Sequence, residues 1–268
     1  MTRAEPMSAS SSALEGSDHR PYFEIANLEI PIILDGLPNC LDVLDVGCGS
    51  GVHGAELKRI HQHRVTGVDI SEESIRKASG RLFAAHVADI TRPEDYPFAS
   101  GPGFDVILFS DILEHVYDPA AVLTSHLNLL KPGGHVLVSL PNVAIWNVRL
   151  ELLFGRFPYQ DTGTLDRTHI RFFNQRNFRD LLASCGLKVI RSRITPGILR
   201  PFVPLIKRLY VRSSEPGTYA NSSSIMDSKP YRFYCSRVYP VERLICRLRP
   251  NLLAFQFVAL CRPGKTAS

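Results

Sequence analysis

The sequence predicts an α/β fold wound on both faces of a sheet, and three observations predict it. Apolar runs of strand length alternate with segments of helical periodicity from residue 41 to residue 195. One run, Leu41-Asp42-Val43-Leu44-Asp45-Val46, passes directly into a glycine-rich turn, Gly47-Cys48-Gly49-Ser50-Gly51, and then into a helix. Asp45, Asp69, Asp89, Ser110 and Asn142 fall at the carboxyl ends of predicted strands, where open α/β sheets bind ligands.

Each element has its own local signal. Val43, Leu44 and Val46 are apolar on both alternating faces, as a central parallel strand covered on both sides requires. Glycines at 47, 49 and 51 let the backbone bend sharply and let a ligand reach the unpaired N–H groups of the next helix, predicted over 52–63. A second strand, 65–69, ends on Asp69, and Ser71 is an N-cap for the helix that follows. Residues 82–88 form a third strand reaching Asp89, and 91–103, with Pro93, Pro97 and Pro102, form a surface connection. Residues 104–109 form the fourth strand. Asp118-Pro119 opens a helix in which Ala120, Leu123, Leu127 and Leu130 recur at helical spacing; Pro132-Gly133-Gly134 ends it, and 135–140 form the fifth strand. Helices are predicted over 143–157 and 174–185, a sixth strand over 187–195, and a last strand over 253–260. Tyr22, Phe23, Ile25, Leu28 and Ile32 suit a short helix before the first strand, and residues 1–19, rich in Ser and Ala, are expected to be a disordered tail.

A chain of 268 residues with 44% hydrophobic content is ample for one domain with a buried core. No apolar run approaches the ~20 residues that span a bilayer, and no short apolar leader opens the chain, so a cytoplasmic protein is expected. The six cysteines form neither a Cys-x-x-Cys pair nor a zinc-ligand spacing and read as reduced thiols. The net charge of +5 is uneven: residues 197–268 carry +9, leaving −4 for the rest. That basic segment suits either a solvated face or an anionic partner, such as a phosphate-bearing substrate, a membrane surface or RNA.

Gly49-Ser50-Gly51-Val52-His53-Gly54 fits the Gly-x-Gly-x-x-Gly of dinucleotide-binding turns. Asp45, two residues before the first glycine, argues against that ligand, because a carboxylate there repels a pyrophosphate and suits a sulfonium or ammonium. The remaining alternative is that Asp45 only caps the turn.

Several stretches together resemble the class I, seven-stranded S-adenosylmethionine-dependent methyltransferases. Leu44 to Gly51 resembles their cofactor loop, Gly67-Val68-Asp69-Ile70-Ser71 their second strand with its ribose-binding acid, and Ala88-Asp89-Ile90 their third-strand acid beside the adenine. Phe104 to Ile107 with Leu113-Glu114-His115-Val116 resembles the fourth strand and its loop, and Leu130-Lys131-Pro132-Gly133-Gly134 the turn before the fifth. The resemblance implies a mostly parallel sheet with an antiparallel last strand and S-adenosylmethionine as cofactor. Its contacts would be Asp45, Gly47, Cys48, Gly49, Gly51, Asp69, Ile70, Asp89, Ile90 and Ser110, with Tyr22 as a lid. The domain would span 20–268, with insertions 143–173 and 196–251 forming a cap on the substrate side. The first insertion resembles that of a bacterial subgroup acting in cell-surface polysaccharide or secondary-metabolite pathways.

Methyl transfer to a hydroxyl needs a base within hydrogen-bond reach of the leaving proton. His115 lies in the loop that lines the methyl-donating end of the cofactor in this fold. His169 follows Asp166 by three, so on a helical turn that carboxylate orients the imidazole, whereas in an extended segment the pairing fails. Arg167 and Arg171 suit an anionic or phosphate-bearing acceptor or surface ion pairs. Glu114 with Asp111 could hold Mg²⁺, but two carboxylates on one turn are common without metal, and none is expected. The reading is therefore a methyltransferase acting on a small molecule, with a saccharide or specialised metabolite hydroxyl as acceptor. Asp45 disfavours a nicotinamide oxidoreductase. The basic C-terminal portion, with Tyr210, Tyr219, Tyr231, Phe233 and Tyr234 interleaved, keeps an RNA-binding alternative open, although no Asn-Pro-Pro-Tyr-type motif follows Pro141-Asn142.

Overall fold

The computed structural model describes residues 27–100, 103–200 and 232–264. Tyr22, the 1–19 tail, and the tyrosines at 210, 219 and 231 lie outside the described residues. In chain order the elements are α1 (Glu29–Leu34), β1 (Asp42–Val46), α2 (Val52–His61), β2 (Arg64–Asp69), α3 (Glu72–Ala78), β3 (Ala84–Val87), β4 (Phe104–Ser110), α4 (Pro119–His126), β5 (Leu130–Pro141), α5 (Trp146–Leu153), α6 (Gln175–Ser184), β6 (Leu187–Pro196), α7 (Tyr239–Leu248), α8 (Pro250–Leu253) and β7 (Ala254–Pro263).

The seven strands form one sheet in the order β3-β2-β1-β4-β5-β7-β6. β3, β2, β1, β4 and β5 run parallel, and β7 pairs antiparallel with both β5 and β6. Strand order reverses between β1 and β4, which opens a crevice at their carboxyl ends.

Alternation along the strands divides the core. Leu44, Ile107, Phe109 and Val138 face the side covered by Val122 and Leu123 of α4 and by Phe178 and Leu182 of α6. Val43, Val106, Leu108 and Leu137 face Ile30 and Ile33 of α1, Leu57 of α2 and Ile75 of α3. The central strands carry apolar residues on both faces because both faces are covered.

Two local expectations are corrected. Pro132-Gly133-Gly134 does not end the helix: α4 stops at His126, a 3₁₀ turn spans Leu127–Leu129, and the triplet lies inside β5. Leu130 pairs with Phe104 and His135 with Val106, so the intervening residues bulge out of register, with Gly133 at φ 81°. The helix after Asn142 is also shorter than expected, covering only Trp146–Leu153. Elsewhere the local signals decide the ends. Asp118 accepts a hydrogen bond from the Ala121 N–H, and Asn174 forms a reciprocal capping box with Asn177.

Candidate active site

The β1–α2 turn is set by backbone demands. Gly47, Gly49 and Gly51 take φ of 71°, 52° and 80°, and a Cβ on Gly47 would collide with the Ile112 side chain. The turns after β1 and β4 are thus pressed together across the crevice. The Gly47 and Cys48 N–H groups both donate to the Val68 carbonyl, at 2.8 and 3.0 Å. The Gly49 N–H donates to Asp69 Oδ2 at 2.9 Å, and Arg81 donates to the Ser50 carbonyl and hydroxyl. Cys48 contributes backbone to the turn, while its thiol is buried at the place a Cβ on Gly67 would fill.

Asp45 is 1% exposed, and its Oδ2 has no hydrogen-bond partner among the described residues. Burial, with the Asp69 charge adding to it, pushes its carboxyl up to about 7. Ser110 Oγ and Glu114 Oε2 are also buried without partners, so three such atoms belong to the β1 and β4 side of the crevice. Buried polar atoms in this state call for a ligand or water. Ile70 is 68% exposed beside Asp69, whereas Ile90 is buried and packs into the core. Asp89 is exposed and accepts from the Thr91 N–H and hydroxyl, both at 2.8 Å.

The loop after β4 begins at Asp111, whose φ of 51° turns the chain back over the sheet. Gln256 and Ser139 both donate to its carboxylate, and burial, opposed by these bonds and by Arg200, pushes it up to about 6. The 3₁₀ turn Leu113–His115 buries Glu114, whose carboxyl is held well above the usual range by burial and by Asp111. Its carbonyl accepts from the N–H groups of Ile170 and Arg171, both at 3.0 Å. The Val143 N–H donates to the Phe173 carbonyl, so the two ends of the 143–173 stretch lie side by side.

This closure brings His169 onto His115, with ring centroids 4.7 Å apart. The Asp166–His169 pairing expected from the spacing does not form. Asp166 instead accepts from the Thr168 N–H and hydroxyl at 2.8 and 2.7 Å, because the chain turns there without continuing as a helix. The imidazole is oriented by the Thr164 carbonyl, 3.2 Å from Nδ1. His115 Nδ1 lies 3.2 Å from the Thr168 carbonyl. A carbonyl only accepts, so each Nδ1 carries the proton and each Nε2 is left with a lone pair. Burial lowers both imidazoles below their ordinary range, and for His169 the neighbouring His115 adds to this.

Glu114, His115 and His169 offer ligand atoms that all lie within 4.8 Å of one another, a spacing that could hold a divalent cation. Arg167 pairs with Asp161, and Arg171 donates to the Tyr117 carbonyl and stacks on its ring, engagements an anionic acceptor would have to share. Tyr234 donates to Glu242 at 2.8 Å, so its hydroxyl is committed to the protein.

Sequence reasoning missed a polar network under this site. Asn27 donates to Ser139 and to Gln256 Oε1, accepts from the Thr195 hydroxyl, and gives its backbone N–H to His53 Nε2. A lone glutamine in the apolar run Leu253 to Leu260 was the available signal: a buried amide needs partners.

The residues fit a cationic nucleoside donor: a glycine cradle, an acid organising its floor, and a buried carboxylate with no counter-charge among the described residues. Fold and crevice together have the architecture of a class I methyltransferase domain. Residues 19–192 match the family described as Methyltransferase domain, and the chain belongs to that family. Among curated relatives, the ubiquinone biosynthesis O-methyltransferase of Neisseria meningitidis serogroup C is 42% identical over 106 residues, which cover 37% of this chain and 44% of the relative. That of Thiobacillus denitrificans is 34% identical over 130 residues, covering 47% and 56%. The chain spans about half the length of the curated relatives it matches. A SAM-dependent methyltransferase structure from Archaeoglobus fulgidus aligns with TM-score 0.52 at 17% identity, covering 87% of this chain and 92% of that one. The [4+2]-cyclase SpnF aligns with TM-score 0.53 at 17% identity, covering 88% and 80%. Likeness at that identity concerns the fold alone, and the cyclase illustrates why chemistry must be argued from the site.

Proposed function

We propose that this chain transfers a methyl group from S-adenosylmethionine to a hydroxyl oxygen of a small molecule. The observation that carries the reading is the buried Asp45 carboxylate, its Oδ2 without a hydrogen-bond partner among the described residues, at the foot of the glycine turn, on the rim that also carries Asp69 and the histidine pair. When bound, the cofactor supplies a methyl group on a positively charged sulfur, already activated for displacement. Asp45 meets the ammonium end, Asp69 accepts from the ribose hydroxyls with lone pairs left over from Gly49 and Ser71, and exposed Ile70 covers one face of the adenine. Gly47, Gly49 and Gly51 keep side chains out of the cradle. His115 or His169 accepts the acceptor's hydroxyl proton at Nε2, each held by a backbone carbonyl at Nδ1.

The names of the curated relatives support oxygen as the acceptor atom. The narrower class, a saccharide or specialised metabolite hydroxyl, is supported by the stretch before His169. It exposes Phe157 and Tyr159 as stacking faces beside the polar Gln160, Asp161 and Arg167. Incubation with methyl-labelled cofactor and a panel of sugars, phenols and amines tests this. Label on an amine or on no acceptor refutes O-methylation; label on phenols only refutes the saccharide class. A second reading rests on the Glu114–His115–His169 spacing: a divalent cation held there would make turnover sensitive to a chelator and restorable by metal, whereas histidine base catalysis alone survives chelation.

A further inference from the structure

Helix α7 is mounted inside out. Its inward face is polar: Tyr239 donates to Glu29 at 2.8 Å, Glu242 accepts from the Leu199 N–H at 2.9 Å and from Tyr234 at 2.8 Å, and Arg243 reaches Glu29 at 3.3 Å. Cys246 completes that face, fully buried, with its thiol donating to the Leu253 carbonyl. These bonds fix the rotation of the helix about its axis. The opposite face is then apolar and open: Val241 is 57% exposed, Leu244 64%, Ile245 44% and Leu248 77%. An amphipathic helix packed on a protein core ordinarily turns the other way. Four exposed apolar residues on one helical face mark a surface that meets something.

Charge indicates what. Arg232, Arg237, Arg247 and Arg249 are exposed on and around this helix, and between residues 232 and 249 the single acid, Glu242, is buried and points inward. Two copies of the face apposed about a two-fold axis would bring these arginines against one another. Residues 201–231 are themselves net basic, with Lys207, Arg208, Arg212 and Lys229 against Glu215 and Asp227, and would meet the same repulsion. An anionic lipid surface opposes neither its charge nor its apolar stripe: phosphates take the guanidiniums while the aliphatic side chains enter the headgroup boundary. We propose that the outer face of α7 docks this protein on anionic membranes as a peripheral, in-plane helix.

The test is co-sedimentation of the full chain with vesicles of phosphatidylcholine alone and of phosphatidylcholine containing phosphatidylglycerol, at low and high salt. The expected result is binding to the phosphatidylglycerol vesicles only, weakening as salt rises. Each arginine near an anionic surface raises partitioning roughly fivefold, so Arg247→Ser with Arg249→Ser lowers it about 25-fold. Leu244→Glu with Leu248→Glu abolishes it; a thermal melt checks that this variant is folded, and the arginine pair stands as an independent test. Absence of binding by the unaltered chain, equal binding to neutral vesicles, or undiminished binding by either variant overturns the proposal. A dimer seen by light scattering that Leu244→Glu dissolves, without vesicle binding, also overturns it and assigns the face to a second copy.

Discussion

Replacing Asp45 by asparagine separates ligand binding from stability at one position. The carboxylate is buried, and burial with the Asp69 charge raises its pKa from 3.8 to about 7. At about 1.36 kcal/mol per pH unit, this rise corresponds to roughly 4 kcal/mol of stability lost when the group ionises in the folded, ligand-free protein. Between these two pH values the folded state keeps a proton that the unfolded chain has released. Stability of the ligand-free wild type therefore falls as pH rises through the window, and Asp45 contributes no further slope above it. Asparagine fills the same space without a charge to desolvate. Thermal melts from acid to mildly alkaline pH are expected to show Asp45→Asn more stable than wild type above pH 7 and lacking this component of the pH slope. Calorimetry with S-adenosylhomocysteine is expected to show the opposite ranking, because losing a charge-assisted contact costs about 1.5–3 kcal/mol, roughly a tenfold to hundredfold weaker affinity. Parallel pH slopes for the two proteins would refute the buried-charge argument. Unchanged affinity would refute the placement of the ammonium.

Three further outcomes follow from the same geometry. His115→Ala and His169→Ala each lower turnover, by about 10²–10⁴-fold for whichever imidazole is the base, with S-adenosylhomocysteine affinity unchanged; wild-type turnover in both variants removes histidine from the mechanism. Both imidazoles lie below their ordinary range, so the base stays neutral to lower pH than a free histidine and the acid limb of kcat/KM falls below the usual pH 6.5. By linkage, the folded state then lacks protons that the unfolded chain takes up, so this contribution to stability is present above that pH and lost below it. Glu29 is fully buried and receives Arg193, Arg243 and Tyr239, so Glu29→Ala leaves two guanidiniums without their carboxylate. Urea unfolding is expected to show a loss of about 3–5 kcal/mol, and a loss below 1 kcal/mol would show that the pair is solvated.

What the sequence determined by itself is local in range. Alternation of apolar residues sets a strand, Asp118-Pro119 and Asn174 set helix starts, and glycines at 47, 49 and 51 are readable because left-handed φ is a property of single residues. The acids at strand tips were legible for the same reason: a doubly wound sheet sends all its parallel strands to one rim, so Asp45, Asp69 and Asp89 share an end once the strands are placed. Tertiary structure decided the rest. His169 meets His115 only because the chain between Asn142 and Phe173 closes on itself, and Asp166 lost its expected partner because the local turn gave its oxygen to Thr168 first. The bulge at Pro132-Gly133-Gly134 answers to the register of β4, and the rotation of α7 to Glu29, which lies far away in the chain. Such choices depend on which distant surfaces come into contact, and no short stretch of sequence carries that information.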